Sequence, residues 1–382
     1  MDWKEIKIKD LGEILTGNTP PTTQRKFYGD EYTFIKPTDM VSDQRYVYET
    51  GERFSELGYK RFKKYLLPID TTVVVTIGTI GKLCLTREPS FTNQATNAIV
   101  VDENEFDKKF IYYLMVYNNP KVKNLSSGTA SGRENVSKGV FESIKVNVPS
   151  LESQKKIAHI LSTYDDLIEN NQKRIAILEQ MAQNIYKEWF VRFRFPGWEE
   201  VVFVDDLPEG WRVEQLGNFI EIKKGKNITR NTITEGKVPV IAGGLNPAYF
   251  HNEANTISPT ITISASGANA GFVNLYYENI WASDCSYIDS EMTTFLYYVF
   301  LTLKVRQKEV YNLQKGSAQP HVYPKDLMRL NIDLPSISIV EKFEKLITPI
   351  FEQIKALTTK NEILQQTRNR LLPRLLSGQL KV

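Results

Sequence analysis

The stretch at residues 150–193, SLESQKKIAHILSTYDDLIENNQKRIAILEQMAQNIYKEWFVRF, carries a heptad pattern that organises the whole chain. Apolar residues recur at alternating spacings of four and three, which is typical of a helix that pairs with another helix in a coiled coil. One seam position holds Ile157, Tyr164, Asn171, Leu178 and Ile185, and the other holds Leu161, Ile168, Ile175, Ala182 and Trp189. The pattern therefore predicts one long amphipathic helix, over residues 151–193, whose seam needs a partner.

The heptad pattern returns 186 residues later, where Phe343 takes the place of Ile157. The second seam has Phe343, Ile350, Leu357, Leu364 and Leu371 at one position and Ile347, Ile354, Asn361, Arg368 and Leu375 at the other. The same offset aligns NVPSLESQKKI at 147–157 with DLPSISIVEKF at 333–343, so the duplication begins before the helices. An internal repeat of this kind has to be settled before any fold is assigned.

Two seams in one chain can pair antiparallel if the segment between them spans the distance. If the midpoints of the two seams lie opposite each other, the apolar pairs are Ile157 with Leu375, Leu161 with Leu371, Ile168 with Leu364, and Trp189 with Phe343. The same register pairs Asn171 with Asn361 and Tyr164 with Arg368, which would satisfy polar groups whose unpaired burial costs about 1–3 kcal/mol. The alternative is that both asparagines face water.

Two prolines interrupt the second seam. Pro349 lies inside it, where a missing N–H and a bulky ring should kink or break a helix at a cost of about 3 kcal/mol. Pro373 should break the last turn, so that Leu375 does not complete the seam. We therefore expect a bend at Pro349.

The segments at 1–148 and 194–334 share one order of predicted elements. In the first, YTFIKP at 32–37 and TVVVTIG at 72–78 are predicted strands, and EFDKKFIYYLMVY at 105–117 a helix. The matched pairs of stretches are 3–17 with 211–225, 73–85 with 260–275, and 126–149 with 314–335. The predicted fold class is α+β. Two similar α/β domains, 1–148 and 194–334, are separated by two long helical regions, 149–193 and 335–382, packed as an antiparallel coiled coil with a pseudo-twofold internal repeat.

Composition excludes several classes of protein. The chain has 382 residues, 41% of them apolar and 24% charged, as in ordinary globular proteins. No apolar run approaches the roughly 18 residues of a membrane span, and the charged N-terminus predicts a cytoplasmic protein. Two cysteines and three histidines lie far apart, so we expect free thiols and no metal site. The net charge of +3 neither requires nor excludes a nucleic-acid partner.

Four motifs together resemble one family. They are KEWFVRFRFPG at 187–197, LPEGW at 207–211, the Gly-Ser-Ala-Gln loop at 316–319 with the following VYPKDLMRLNIDLP, and LLPRLLSGQL at 371–380. With the duplicated organisation, they resemble the DNA specificity subunit of type I restriction-modification systems over essentially the whole chain. Such subunits carry two target-recognition domains, each followed by a helix, and the two helices pair antiparallel.

This resemblance implies a sequence-specific DNA-binding subunit without catalytic activity. Each domain would read one half of a bipartite site, and the helix pair would set the unread gap. A helix over 151–193 would be about 65 Å long, close to two turns of DNA at about 34–36 Å each. The implied partners are double-stranded DNA, two adenine-methylating modification subunits docked on the helices, and restriction subunits. No cofactor is expected on this chain, because S-adenosylmethionine would bind the modification subunit, and ATP and Mg²⁺ the restriction subunit.

Recognition residues are expected on loops, where basic, amide and hydroxyl side chains can reach base edges or phosphates. In the first domain the candidates are Lys36, Thr76, Thr79, Lys82, Gln94, Ser131 and Arg133. In the second they are Lys226, Arg230, Ser266, Asn269, Lys315, Gln319 and His321. Gly78, Gly81, Gly267 and Gly271 are predicted to serve tight turns.

Two other functions were weighed against DNA recognition. NPAYF at 246–250 is close to the Asn-Pro-Pro-Tyr motif of DNA amino-methyltransferases. That activity also needs a glycine-rich loop between a strand and a helix, and SGANAG at 266–271 is followed instead by a predicted strand, FVNLY. A coiled-coil adaptor would explain the seams, but not two similar domains with divergent loops.

Overall fold

The computed structural model describes residues 3–41, 44–128, 134–316 and 319–382. The chain forms two compact units. The first consists of residues 1–170 and 361–382, and the second of residues 171–360.

The first unit is a mixed α/β structure. Its strands are β1 (Lys4–Lys7), β2 (Gly12–Thr16), β3 (Tyr28–Gly29), β4 (Tyr32–Ile35), β5 (Arg53–Phe54), β6 (Thr72–Val75), β7 (Leu83–Leu85), β8 (Ser90–Thr92), β9 (Thr96–Val101), β10 (Ser127–Gly128), β11 (Glu134–Asn135) and β12 (Lys145–Val148). Its helices are α1 (Glu56–Phe62), α2 (Lys108–Asn124), α3 (Lys138–Ser143) and the first half of α4 (Leu151–Phe190). The sheets have the strand orders β2-β9-β6-β7 and β3-β5-β4-β8, with β1 paired to β12 and β10 to β11.

The second unit contains the remaining elements. Its strands are β13 (Phe203–Val204), β14 (Leu207–Pro208), β15 (Arg212–Gln215), β16 (Lys223–Lys224), β17 (Val238–Ile241), β18 (Tyr249–His251), β19 (Thr260–Ser264), β20 (Val273–Tyr276), β21 (Trp281–Ala282), β22 (Cys285–Asp289) and β23 (Asn331–Leu334). Its helices are α5 (Leu216–Phe219), α6 (Leu296–Val305), α7 (Gln307–Asn312), α8 (Pro324–Leu327) and most of α9 (Ile337–Leu376), whose last turns belong to the first unit.

The topology of the second unit repeats that of the first. The sheet order β16-β22-β19-β20 matches β2-β9-β6-β7, and the antiparallel pair β15-β23 matches β1-β12. The parallel pairing of β17 with β21 likewise matches that of β4 with β8. These correspondences confirm the internal repeat and the two similar α/β domains predicted from the sequence.

The central strand β6 is apolar on both faces because each face packs into an apolar core. Val74 belongs to one apolar core with Phe110 of α2, while Val73 and Val75 belong to another with Ile35 of β4. Because successive side chains of a strand point to opposite faces, the run TVVV is buried between a helix and a second sheet. In the second unit, every residue of β19 is likewise buried.

The long helices pack antiparallel inside each unit. In the first unit, Ile157 and Leu161 of α4 share a core with Leu375 of α9, and the side-chain amide of Asn361 lies 3.4 Å from the carbonyl oxygen of Ile168. Residues late in α9 therefore pack against residues early in α4, so the two helices run in opposite directions. Every side chain predicted for the two seams is buried or half-buried.

The second unit shows the same antiparallel packing at the other end of α4. The rings of Trp189 and Phe343 pack edge to face with their centres 5.5 Å apart, which confirms that predicted pair. Ala182 and Tyr186 of α4 belong to the same core as Ile347 of α9. The helix ends at Phe190, three residues before the predicted end, and Phe193 takes a left-handed conformation with φ of 57°.

The polar seam positions depart partly from prediction. Arg368 forms its ion pair with Asp165 and not with Tyr164, because Asp165 offers a buried carboxylate next to the seam. Asn171 and Asn361 are only 3% and 8% exposed, so the alternative in which both face water is wrong. Their contact with each other stays a prediction.

The break expected at Pro373 is wrong, whereas the bend expected at Pro349 stays a prediction. Helix α9 runs without interruption from Ile337 to Leu376, through Pro349 and Pro373. Phe343, Ile347 and Phe351 are fully buried on both sides of Pro349. Burying side chains of that size is worth about 1.5–3 kcal/mol each, which outweighs the cost of one proline. Leu375 is fully buried, so it does complete the seam.

Candidate nucleic-acid interface

In the first unit, loops from four parts of the chain meet at one end of the sheet β2-β9-β6-β7. The loop after β2 is held by a hydrogen bond from Gly17 N to Thr96 O (3.3 Å), and the loop after β6 by one from Thr76 N to Ala95 O (2.8 Å). The segment after β11 joins them through Val136 N and Thr76 O (2.8 Å). A composite loop surface of this kind can present side chains from distant parts of the sequence to one ligand.

The second unit builds the same surface at the equivalent end of its sheet. Gly225 N donates to Cys285 O (2.8 Å), and Val322 N donates to Ala265 O (3.0 Å). Loops 225–237 and 265–272 are thereby brought together with residues 313–316 and 319–321.

The two loop surfaces share a backbone frame. Gly78 N donates to Glu134 O (3.0 Å) in the first unit, and Gly267 N donates to Pro320 O (3.1 Å) in the second. Gly78 and Gly267 have φ of 82° and 77°, a region that disfavours side chains, and Gly81 and Gly271 lie in the same region. The predicted turn role of these glycines is confirmed. Since the frame is repeated and the loop side chains differ, the two units can present different chemistry from one scaffold.

The family model for the type I restriction modification DNA specificity domain matches residues 1–180 and 208–371, which is most of the chain. The chain belongs to this family. The specificity subunit of the type I restriction enzyme MjaIX from Methanocaldococcus jannaschii is 28% identical to this DNA specificity protein, over 100% of this chain and 94% of the relative. The HindI specificity subunit from Haemophilus influenzae is 32% identical over 175 residues, covering 44% of this chain and 38% of that one.

A solved structure supports the fold. The crystal structure of a type I restriction-modification S subunit from M. genitalium superposes with a TM-score of 0.63 at 19% identity, covering 98% of this chain and 96% of that one. The predicted fold class is thereby confirmed for this DNA specificity protein.

The loop surface of the first unit exposes two of the predicted recognition residues, Thr79 and Gln94. Gln94 accepts a hydrogen bond from the hydroxyl of Thr19. Lys36 is half-buried and pairs with Glu52 (3.1 Å), but it stays accessible at the edge of the loops. Ser131 and Arg133 lie outside the described residues.

Two first-unit candidates have structural roles in this conformation. Thr76 is 2% exposed, and its hydroxyl accepts a hydrogen bond from the amide of Asn97 (2.9 Å). The Lys82 ammonium donates to the carbonyl oxygens of Pro37 (2.9 Å) and Met40 (3.1 Å), so it anchors a neighbouring loop. The sequence made both residues recognition candidates, but it could not show that their polar atoms turn inward.

On the loop surface of the second unit, the exposed cations among the predicted recognition residues lie on loop 225–237. Lys226 and Arg230 are exposed, and the Lys226 ammonium lies 5.9 Å from the ring centre of Trp281. Ser266 donates to Asp284, and the amide of Asn269 lies 3.4 Å from the carbonyl oxygen of Gly243. Both are half-buried turn residues.

The remaining candidates lie on the segment 313–321. Lys315 is exposed and pairs with the buried Asp326 (2.6 Å). Gln319 is exposed, and Nδ1 of the half-buried His321 lies 2.8 Å from the carbonyl oxygen of Gln319. Backbone hydrogen bonds in both directions between Lys315 and His321 hold this segment beside Ser266.

A polar network that sequence reasoning missed ties the connection between β4 and β5 to α4. Arg45 lies on the connection between β4 and β5, and it pairs with Asp166 and Glu169 of α4. Burial lowers the pKa of Arg45, but its hydrogen bond to Asp166 and the nearby negative charge of Glu169 act together to raise the pKa above its ordinary value. The cluster of acidic residues in DDLIE at 165–169 was the available signal, because all three carboxylates lie within just over one helical turn.

Asp165 of the same cluster points into the unit. It accepts hydrogen bonds from the Tyr113 hydroxyl of α2 and from Arg368 of α9. Burial and this carboxylate raise the pKa of Tyr113, so the phenol stays protonated and donates. One buried carboxylate therefore joins α2, α4 and α9.

In residues 3–41, 44–128, 134–316 and 319–382, no group of three or more His, Cys, Asp or Glu side chains is arranged to hold a metal ion. Cys84 and Cys285 are free thiols, as predicted, and burial raises the pKa of each to about 12. The helices described include none with the length and apolar character needed to cross a membrane.

The segment weighed as a methyl-donor loop joins two antiparallel strands. Residues 266–271 lie between β19 and β20, as expected from the strand pattern of FVNLY. A helix opening at this loop would be needed to bind a dinucleotide-like ligand through its N-terminus.

Proposed function

We propose that this specificity protein recognises a bipartite DNA site, with the first unit reading one half and the second unit reading the other. The duplicated loop frame carries this proposal. The same backbone hydrogen bonds hold Gly78 and Gly267, while the side chains around them differ between the units. One scaffold with two sets of base-reading side chains suits a site made of two different short sequences.

The long helices suit the role of a spacer. Helix α4 has 40 residues and is therefore about 60 Å long. That length is a little under two turns of DNA at about 34–36 Å each. The helix pair would then set the number of unread base pairs between the two half-sites.

The same helices expose apolar side chains suited to bind partner subunits. In the second unit, an open groove is lined by Ile177, Met181 and Leu346, of which Ile177 is 67% exposed. Ile363, 186 residues after Ile177, is 59% exposed in the first unit. Equivalent apolar side chains in the two repeats support the docking of two copies of one partner, the adenine-methylating modification subunit.

Substituting these isoleucines tests the docking sites. Ile177→Asp and Ile363→Asp are each expected to remove one modification subunit, because a carboxylate in an apolar interface is strongly disfavoured. The mass of the purified complex, measured in solution, would fall by one subunit for each variant. Gln172→Asp is the matched control, since Gln172 is exposed on α4 and the charge change is the same. Two copies retained in both isoleucine variants would contradict this assignment.

Catalysis in this proposal belongs to the partners. S-adenosylmethionine would bind the modification subunits, and ATP and Mg²⁺ the restriction subunits, so that this chain supplies recognition and assembly. The exposed side chains of both loop surfaces support that role, because they are cations, amides and hydroxyls suited to phosphates and base edges.

Charge reversal on one loop surface tests whether each unit reads one half-site. Arg230→Glu is expected to weaken binding by about 10- to 100-fold and to relax base preference in one half-site, because a good base contact is worth about 1–3 kcal/mol. Arg133→Glu is expected to do the same for the other half-site. The measurement is affinity for duplexes altered in one half at a time.

Arg329→Glu is the control for both variants, since Arg329 is exposed at the end of α8 and outside the recognition loops. It is expected to leave both half-sites unchanged. Equal loss of preference at both halves in either test variant would contradict the assignment of one unit to each half.

A further inference from the structure

The connection between β17 and β18 is an exposed and uncharged apolar segment. Every residue of GLNPAYF at 244–250 is exposed, with Leu245 at 54%, Tyr249 at 38% and Phe250 at 53%. Surface turns are ordinarily rich in polar residues, and clustered exposed apolar groups mark interaction sites. We call residues 244–250 the apolar tip.

The apolar tip is attached to both sides of the loop surface of the second unit. At its start, the carbonyl oxygen of Gly243 accepts hydrogen bonds from the hydroxyl of Ser264 (3.1 Å) and the amide of Asn269 (3.4 Å). At its end, Nδ1 of His251 lies 3.2 Å from the backbone nitrogen of Thr234, on the loop that carries Arg230. The tip is therefore continuous with the loops that carry the recognition candidates.

Leu245 lies at the apex of this connection. Ala248 N returns a hydrogen bond to Val240 O (2.9 Å), which closes the loop below residues 242–247 and leaves Leu245 near its middle. Tyr249 and Phe250 are successive residues of β18, so their side chains leave opposite faces of the hairpin. The apex leucine is thus flanked by one aromatic ring on each face.

We infer that the apolar tip inserts Leu245 between two adjacent base pairs of the half-site read by the second unit, partly unstacking them. This inference rests on the proposed function. Exposed Lys226 on the adjoining loop would bind a phosphate and bring the tip against a groove, where Arg230 would read a base edge. Apolar side chains inserted at a base step are a known means of kinking a duplex, and Tyr249 and Phe250 would cover the sugars on either side.

The contacts of the first unit lead us to expect that the DNA is unstacked in only one of the two half-sites. Its equivalent connection, between β4 and β5, carries Arg45, which Asp166 and Glu169 hold against α4. Lys36 on the same connection is paired with Glu52. Because these ion pairs hold Arg45 and Lys36 against the first unit, the unstacked step is expected in the second half-site alone.

The test places 2-aminopurine, whose fluorescence rises on unstacking, at successive positions of a duplex that carries the bound sequence. The full chain is used without modification subunits, so that no base is extruded by a methyltransferase. The wild-type chain is expected to raise fluorescence at one step of the second half-site. Leu245→Ala is expected to abolish the rise and to weaken binding about tenfold, whereas Leu245→Phe, which keeps an apolar group at the apex, retains the rise.

Phe203→Ala is the matched control, because Phe203 is 47% exposed on the β13-β14 hairpin of the same unit. It should leave both readouts unchanged. The inference is overturned if the wild-type chain unstacks no step, or if Leu245→Ala keeps the rise. It is also overturned if Leu245→Ala binds DNA normally but loses a modification subunit from the assembled complex, since the tip would then be a protein interface.

Failure of this inference is distinguishable from failure of the proposed function. A duplex bound through two half-sites without any unstacked step would refute the insertion of Leu245 alone. A chain that prefers no sequence in either half would refute the proposed function itself.

Discussion

Inserting one heptad into each long helix is expected to lengthen the gap in the DNA target. Seven residues placed after Asn170 and seven after Asn361, with apolar residues kept at the seam positions, preserve the predicted register of the helix pair. The insertion adds about 10 Å to each helix, close to three base pairs at about 3.4 Å each. The measurement is a new selection from random duplexes by the variant complex.

The original target is expected to lose most of its affinity in this variant. Three added base pairs also rotate one half-site by about 100° around the duplex, at roughly 10.5 base pairs per turn, so complete loss of binding is also consistent with a spacer. A matched control inserts seven residues between Asp205 and Asp206, on the turn between β13 and β14, and should leave the gap unchanged. An unchanged gap in the helix variant would contradict the spacer role.

Asp165→Ala is expected to destabilise the first unit by about 3–5 kcal/mol. Asp165 is 4% exposed and pairs with Arg368, whose side chain is 14% exposed. Removing the carboxylate leaves a buried guanidinium without its counter-charge, and breaking one partner of a buried pair typically costs that much. It also removes the acceptor of the Tyr113 hydroxyl. Urea unfolding of the full chain, followed by a probe in the first unit, measures the loss.

The neighbouring Asp166→Ala is the control for this prediction. The side chain of Asp166 is 57% exposed, and its partner Arg45 keeps Glu169. Its loss should cost less than that of Asp165, because Arg45 keeps the carboxylate of Glu169 as a counter-charge. In addition, Asp165→Leu combined with Arg368→Leu should recover much of the stability. Equal destabilisation by Asp165→Ala and Asp166→Ala would show that the buried pair has no special role.

The helical half of the fold could be predicted closely because its signal is local and repeated. The heptads located α4 to within three residues of its observed end and identified the pair Trp189 with Phe343. The partner of Arg368 was missed because the register argument considered seam positions alone, whereas a long guanidinium reaches the adjacent Asp165. The break expected at Pro373 was wrong because local propensity does not include the tertiary packing that buries Leu375.

The loop surfaces were predictable in location but less so in detail. Glycines at 78 and 267 marked the turns correctly, since a positive φ is a local requirement. The inward direction of Thr76 and Lys82 depends on partners far along the chain, Asn97 and Pro37, which spacing does not reveal. Likewise, NPAYF at 246–250 was compared with a catalytic motif, and its place on an exposed hairpin became evident from the pairing of β17 with β18.

The most direct test of the account is a selection from random duplex DNA by this chain purified with its modification subunit. Sequencing the bound pool should give two short motifs at one fixed spacing, each sensitive to variants of one unit. A single motif would contradict the assignment of one half-site to each unit. No enrichment from an intact complex would contradict DNA recognition altogether and favour a coiled-coil adaptor.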